Sequence, residues 1–271
     1  MSTILNDLTD EMSSTLVRQT AVLGQTEQLQ QDHYNTIADE YEAHYSDPSS
    51  LEYRRRFIYD PMFDGIDLSG MKVLDAMCGS GQTTDYLLSR NAKVTGLDIS
   101  QEVISSFKAR WKGCEAASRS VLHSGLPDNS FDSVVVVGGL HHLHPHVNRA
   151  VAEIHRVLKP GGYFCFMEPH AGSFADLIRR VWYKLDRFFL ENEAAIDLAD
   201  LEREFASKFE VRKVRYNGNV AFLLVLNSLI FRIPVRAKAF YSPPLMKIEQ
   251  VLNPLQRKLT SCFAVAQWQK R

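Results

Sequence analysis

Val73-Leu74-Asp75-Ala76-Met77-Cys78-Gly79-Ser80-Gly81 is the stretch on which the reading of this chain turns. Its opening residues have the character of a short buried strand. The glycines that follow let a backbone come close to a ligand with no Cβ between them. Residues 82–90 then read as a helix, whose first turn presents unpaired N–H groups toward the glycine turn. Strand, glycine turn and helix together make a site for the anionic end of a ligand. Glycine turns are common at strand ends, so the next element decides more. Asp98 closes the strand 92–99, 23 residues beyond Asp75. A carboxylate about 20 residues past such a turn is where a ribose diol is held, since it can accept from both hydroxyls.

Outward from this unit the chain alternates. Residues 71–77 and 92–99 read as strands, with helices at 82–90 and 101–111 after them. A third strand is expected at 118–122 and a fourth at the β-branched run 133–137. A helix over 146–158 is stopped by Lys159-Pro160-Gly161-Gly162, and a fifth strand follows at 163–167. This βαβαβ order predicts an α/β fold: a Rossmann-like, doubly wound, mostly parallel sheet with helices on both faces.

Farther along, residues 174–190 form an amphipathic helix with Leu177, Ile178, Val181, Leu185 and Phe188 on one stripe. The stripe is read as the core face, with Arg179, Arg180, Lys184 and Arg187 solvated. An acidic helix (198–205) and a strand (209–216) precede an apolar stretch (220–234). An irregular proline-containing segment follows, and the last strand is expected at 258–268. Four parts result: residues 1–68, an N-terminal helical extension or lid; 69–218, the cofactor-binding core; 219–257, an apolar helical insertion acting as a cap or a dimer contact; and 258–271, the final strand.

Which nucleotide-like ligand fits? The positions after Gly81 are Gln82, Thr83 and Thr84, so the third glycine of a dinucleotide fingerprint is missing, and no Gly-Lys-Ser/Thr marks a phosphate loop. Four blocks in order, VLDAMCGSG, VTGLDIS, LPDNSFDSVVVVGGLHHL and EIHRVLKPGGYFCFMEPH, resemble the class I S-adenosylmethionine-dependent methyltransferases, in particular their broad small-molecule group. The resemblance covers residues 71–170. It implies S-adenosylmethionine as cofactor, with Asp75, Cys78, Gly79 and Gly81 around its methionine end. Asp98 would hold the ribose, Ile99 would pack on the adenine, Gly138 would lie under the sulfonium, and Tyr34 would cover the site from an N-terminal helix. Met77 stands where the family often has its first glycine. The third strand lacks the usual acid near its end, leaving His123 or Ser124 to meet the adenine.

Ligands in such sheets sit outside the carboxyl ends of the strands, so His142, His141 and His170, near the ends of strands four and five, are candidate bases for a hydroxyl acceptor, favoured over an amine. The expected acceptor is a small molecule: a sugar, a lipid-linked intermediate or a secondary metabolite. A non-catalytic S-adenosylmethionine-binding regulator and an aminopropyl transferase on the same fold are the rival readings. A metal site is not expected of the histidines at 141–146, because no acid or cysteine joins them in sequence. Nucleic acid is not an expected partner either, since 31 basic against 32 acidic residues give a net charge of -1. Cys78, Cys114, Cys165 and Cys262 are far apart, as in a cytoplasmic protein with reduced thiols. The polar N-terminus does not read as a signal peptide, and stretch 220–234 is too short and broken to span a bilayer. A weak membrane-surface contact through Phe222, Leu223, Leu226, Ile230 and Phe231 is a lesser reading, as is a homodimer.

Overall fold

The computed structural model describes residues 42–182 and 193–271. Within them seven strands form one sheet: β1 (Lys72–Ala76), β2 (Lys93–Asp98), β3 (Glu115–Ser118), β4 (Phe131–Val137), β5 (Leu158–Glu168), β6 (Phe209–Asn217) and β7 (Phe263–Lys270), in the order β3-β2-β1-β4-β5-β7-β6. The first five are parallel; β7 is antiparallel to both β5 and β6. This is the Rossmann-like sheet expected, with an antiparallel edge. The strand order reverses between β1 and β4, and ligands in such sheets bind outside the strand ends at that crevice.

The central strands are buried on both faces. Val134, Val135 and Val136 of β4 and Phe164, Cys165 and Phe166 of β5 are fully enclosed, which is why their sequences run apolar without alternation. On β7, Trp268 meets the rings of Phe164 and Phe166 edge-on, at 6.1 and 5.2 Å. The crossovers are α1 (Gln82–Ser89), α2 (Gln101–Arg110) and α3 (Val147–Val157). Ser100 caps α2 by accepting from the Val103 N–H at 3.2 Å.

Several elements differ from the sequence expectation. The third strand is Glu115–Ser118, not 118–122: Val121 and Leu122 are buried, but in a turn where the His123 N–H donates to Ser120. β5 is longer than expected, because Lys159-Pro160-Gly161-Gly162 bulges out opposite Asp132 and the strand continues through it. The last strand begins at Phe263, not 258, since residues 257–260 close a turn from the Thr260 N–H to the Arg257 carbonyl.

The largest correction concerns α4 (Phe174–Trp182). Leu177, Ile178 and Val181 face solvent, and Asp176 and Arg179 face inward. Leu185, Phe188, Lys184 and Arg187 lie outside the described residues. After α5 (Leu198–Glu204), the segment expected to be irregular contains α6 (Lys238–Leu252), a helix that runs through Pro243 and Pro244. Tertiary anchors hold it despite the lost N–H groups. Lys238 Nζ meets Asp47 at 2.6 Å, and Glu249 accepts from the Tyr53 hydroxyl at 2.8 Å. Those partners belong to the aromatic stretch before the core, helical over Pro48–Arg54, Arg55–Tyr59 and Asp60–Met62. Of the residues offered for membrane contact, Leu226 is buried, and Phe222 packs on Phe263 at 4.8 Å and Tyr53 at 6.3 Å. That stretch therefore turns much of its apolar surface inward.

Candidate active site

The glycine turn leaves β1 through residues in the left-handed region: Met77 (φ 60), Gly79 (φ 52) and Gly81 (φ 89). The Met77 sulfur lies where a Cβ on Gly139 would sit, at 2.7 Å, so the methionine fills its unusual position by packing on the next glycine turn. Asp98 ties the cradle together. One carboxylate oxygen accepts from the Gly79 N–H at 3.0 Å and the other from the Ser100 N–H at 3.0 Å. Burial raises its pKa, and those backbone donors oppose the shift. Asp75 accepts from the Thr84 hydroxyl at 2.7 Å, and its enclosed position pushes its pKa up to about 7.

Two glycines open on space. The nearest atom to a Cβ on Gly79 would be Gln82 Oε1 at 3.9 Å, and on Gly138 the His141 ring at 4.0 Å. Backbone can approach a ligand at both. Gly81 is different: a Cβ there would lie 2.1 Å from the indole nitrogen of Trp111. Above the turn, Glu42 accepts from the Ser80 hydroxyl, from the Gln82 amide at 2.9 Å and from Arg110 at 3.1 Å.

Across the crevice, β4 is followed by Gly138 (φ 67) and then by a 3₁₀ turn, Leu140–Leu143. Glu168, the last residue of β5, staples this turn. One of its oxygens accepts from the N–H groups of Gly139 (2.8 Å) and Leu140 (2.7 Å). The other faces His141 Nδ1 at 2.8 Å. A returning segment adds a second carboxylate. The Ala194 N–H donates to the His141 carbonyl and the Ile196 N–H to Pro169, which brings Glu193 to 3.1 Å from His142 Nδ1. The two imidazole rings are 3.8 Å apart. Burial pushes Glu168 up to about 7 and holds His141 well below the usual histidine value, so each is drawn toward its neutral form.

Residues 74–166 match the family model described as "Methyltransferase domain". This segment is therefore similar to the methyltransferase domains of that family. The chain is 37% identical over 107 residues to a phthiotriol/phenolphthiotriol dimycocerosates methyltransferase of Mycobacterium tuberculosis, over 38% of this chain and 39% of that protein. It is 35% identical over 106 residues to a fatty-acid O-methyltransferase of Mycolicibacterium smegmatis, covering 38% of each. The chain thus spans well under half the length of these relatives. A solved S-adenosylmethionine-dependent methyltransferase from Archaeoglobus fulgidus has the same fold, with a TM-score of 0.57 at 18% identity over 86% of this chain and 99% of that one.

S-adenosylmethionine is the cofactor that this likeness implies, and the residues of the crevice fit it. The open backbone at Gly79 and Gly138 and the carboxylate of Asp98 lie at the carboxyl ends of β1, β4 and β2. Asp75 stands at the root of the same turn, and Ile99, half-buried, follows Asp98. Cys78 is turned away, its side chain packing on Ile104 and Phe107. What it offers a ligand is backbone. Of the two substitutes for the missing adenine-binding acid, Ser124 is committed to Glu153 at 2.6 Å and His123 is exposed. Tyr34 lies outside the described residues.

The histidines divide into two groups. His141 and His142 sit together beside carboxylates. His170 stands apart, with one ring nitrogen 2.7 Å from the Ser261 hydroxyl and the other 3.2 Å from the Ala171 carbonyl. With both nitrogens committed, it is poorly disposed to take a proton. Contrary to expectation, an acid does join the histidines: ligand-type atoms of His141, His142 and Glu193 lie within 4.8 Å of one another. The sequence reading missed four contributors, namely Glu42, Trp111, Glu168 and Glu193. Glu168 had a readable signal, an acid closing an apolar strand. Glu193 had none, because only the return of the chain onto the strand ends places it.

Proposed function

We propose that the protein is an S-adenosylmethionine-dependent methyltransferase acting on a hydroxyl oxygen of a small or lipid-like acceptor. The observation that carries the hydroxyl preference is the pair of buried histidines, each with Nδ1 on a carboxylate, at the end of β4. S-adenosylmethionine, when bound, supplies an already activated electrophilic methyl group. What the chain must add is alignment, exclusion of water and a place for the proton.

Asp98 would hold the ribose hydroxyls, and the backbone of Gly79 and Gly138 would line the methionine and sulfonium ends. A histidine that gives its Nδ1–H to a carboxylate keeps Nε2 as the acceptor nitrogen. Glu193 fixes that tautomer for His142, as Glu168 does for His141. An imidazole oriented in this way removes a hydroxyl proton as the new bond to oxygen forms. An amine, already a good nucleophile once neutral, has less need of such a pair. The names of the mycobacterial relatives support a lipid-like acceptor. No helix among the described residues is long and apolar enough to cross a membrane.

The test is release of S-adenosylhomocysteine across pools of hydroxylated and amine acceptors, with mass spectrometry of the product. Methylation of oxygen supports the proposal. Methylation confined to amines overturns the hydroxyl preference, and cofactor binding without turnover favours a regulatory protein.

A further inference from the structure

The helix Phe174–Trp182 is inside out for a water-soluble surface. Phe174, Leu177, Ile178 and Val181 are 63, 60, 64 and 62% exposed. On its inner side Asp176, 2% exposed, accepts from the Gly172 N–H at 3.1 Å and from Arg180 at 2.9 Å, and Arg179 donates to the Cys262 carbonyl at 2.8 Å. The helix is therefore fixed in this orientation by polar bonds beneath it, with its apolar stripe directed outward.

The stripe has a neighbour. The Phe174 N–H donates to the Leu259 carbonyl at 3.0 Å, which joins the helix to the loop after α6. Val251 in the last turn of α6 and Leu255 and Leu259 after it are 71, 69 and 59% exposed. Arg257 and Lys258, both exposed, flank Leu259, and the Lys258 stem lies along Gly172 at the entrance to the helix. Arg180, two-thirds exposed, pairs its charge with Asp176. No acidic residue occurs in 250–260, and the acid of the helix itself, Asp176, is buried and paired.

We propose that this patch docks on the surface of an anionic lipid bilayer, its apolar side chains entering the headgroup boundary and its basic rim pairing with lipid phosphates. Apolar surface on this scale, bordered by basic residues, has the composition of an interfacial membrane contact. Charge decides between a bilayer and a second copy of the chain. A two-fold contact would bring the Arg257 and Lys258 rims of both copies into one interface, and an anionic bilayer neutralises them. The docking face differs from stretch 222–231, much of which packs inward.

Flotation of the full-length protein with vesicles tests the proposal, and no turnover is needed to read it. The protein should float with vesicles of phosphatidylglycerol and phosphatidylcholine, and far less with phosphatidylcholine alone or at high salt. Leu177→Asp with Ile178→Asp, and separately Arg257→Glu with Lys258→Glu, should each lower the bound fraction about tenfold. All four positions are solvent-facing, so unchanged melting curves should accompany the loss. The idea is overturned if the wild-type protein stays at the bottom of the gradient, or if the variants float as it does. It is equally overturned if light scattering finds a dimer that the Leu177/Ile178 variant dissolves while the wild-type protein ignores vesicles. Absent methyl transfer with intact flotation would fault the proposed activity alone.

Discussion

The indole N–H of Trp111 donates to the Ser80 carbonyl at 3.1 Å, which lays the ring against Gly81. The second glycine of the turn is thus required twice by the protein itself, through its φ of 89 and through the space that Trp111 occupies. Gly81→Ala should destabilise the free protein by about 1–2 kcal/mol from backbone strain alone, and by more from the clash. Adding Trp111→Ala should recover the clash component and leave the strain. Thermal melts of the two single variants and the double variant read this coupling directly. Strict additivity would mean that the indole is not what crowds Gly81.

Asp98 serves the cradle before it serves a ligand, through the Gly79 and Ser100 N–H groups. Asp98→Asn keeps an acceptor for one of these donors but removes the charge that a ribose diol would meet. S-adenosylmethionine should bind at least roughly 10²-fold more weakly, with the melting temperature lowered only slightly. Calorimetry with wild-type affinity in this variant would remove the ribose assignment.

The histidine pairs separate by mutation. His142→Ala and Glu193→Gln should lower turnover by about 10²–10⁴-fold and by a smaller factor respectively, with cofactor affinity retained. His141→Ala tests the competing pair. His170→Ala should keep turnover near that of the wild type, because its ring nitrogens serve Ser261 and Ala171. A chelator should leave the rate unchanged if His141, His142 and Glu193 act as hydrogen-bonded pairs. Loss of activity that a divalent metal restores would convert them into ligands.

Asp75 carries a pH signature. Burial lifts its pKa from 3.8 to about 7, so between those values the folded protein keeps a proton that the unfolded chain has released. Its contribution to stability is fullest below about pH 4 and is lost as the pH rises through about 7. Asp75→Asn has no such group. Denaturant unfolding at a series of pH values should therefore show the wild-type protein losing ground to this variant from about pH 4 to 7. A constant difference would mean that the carboxyl is not shifted.

Lys238 is buried with Asp47 and also donates to the His44 carbonyl at 2.5 Å and the Ser50 hydroxyl at 2.8 Å. Lys238→Ala leaves the Asp47 carboxylate enclosed without its cation. The expected cost is about 3 kcal/mol, measured by denaturant unfolding, and Asp47→Asn should remove part of it when combined.

What could be read in the residues was local. The strands around 73–76 and 133–137, the glycine turn and the cap at Ser100 each announce themselves through burial pattern, φ requirement or a side-chain acceptor next to its own helix. Asp98 is legible for the same reason, since its distance from the turn is set by one strand–helix–strand unit. Longer-range choices were not legible. A period of 3.6 marks one apolar face on residues 174–182 but does not name the medium that covers it, and here buried bonds from Asp176 and Arg179 turn that face outward. Pro243 and Pro244 argue locally against a helix that Lys238 and Glu249 anchor from elsewhere in the chain. The placement of β7 between β5 and β6, and the return of residues 193–197 onto the ends of β4 and β5, arise from backbone pairing between distant segments. That return alone joins Glu193 to His142. Local patterns are dictated by bonds and periodicities within a few residues, whereas this pairing exists only once the sheet has formed.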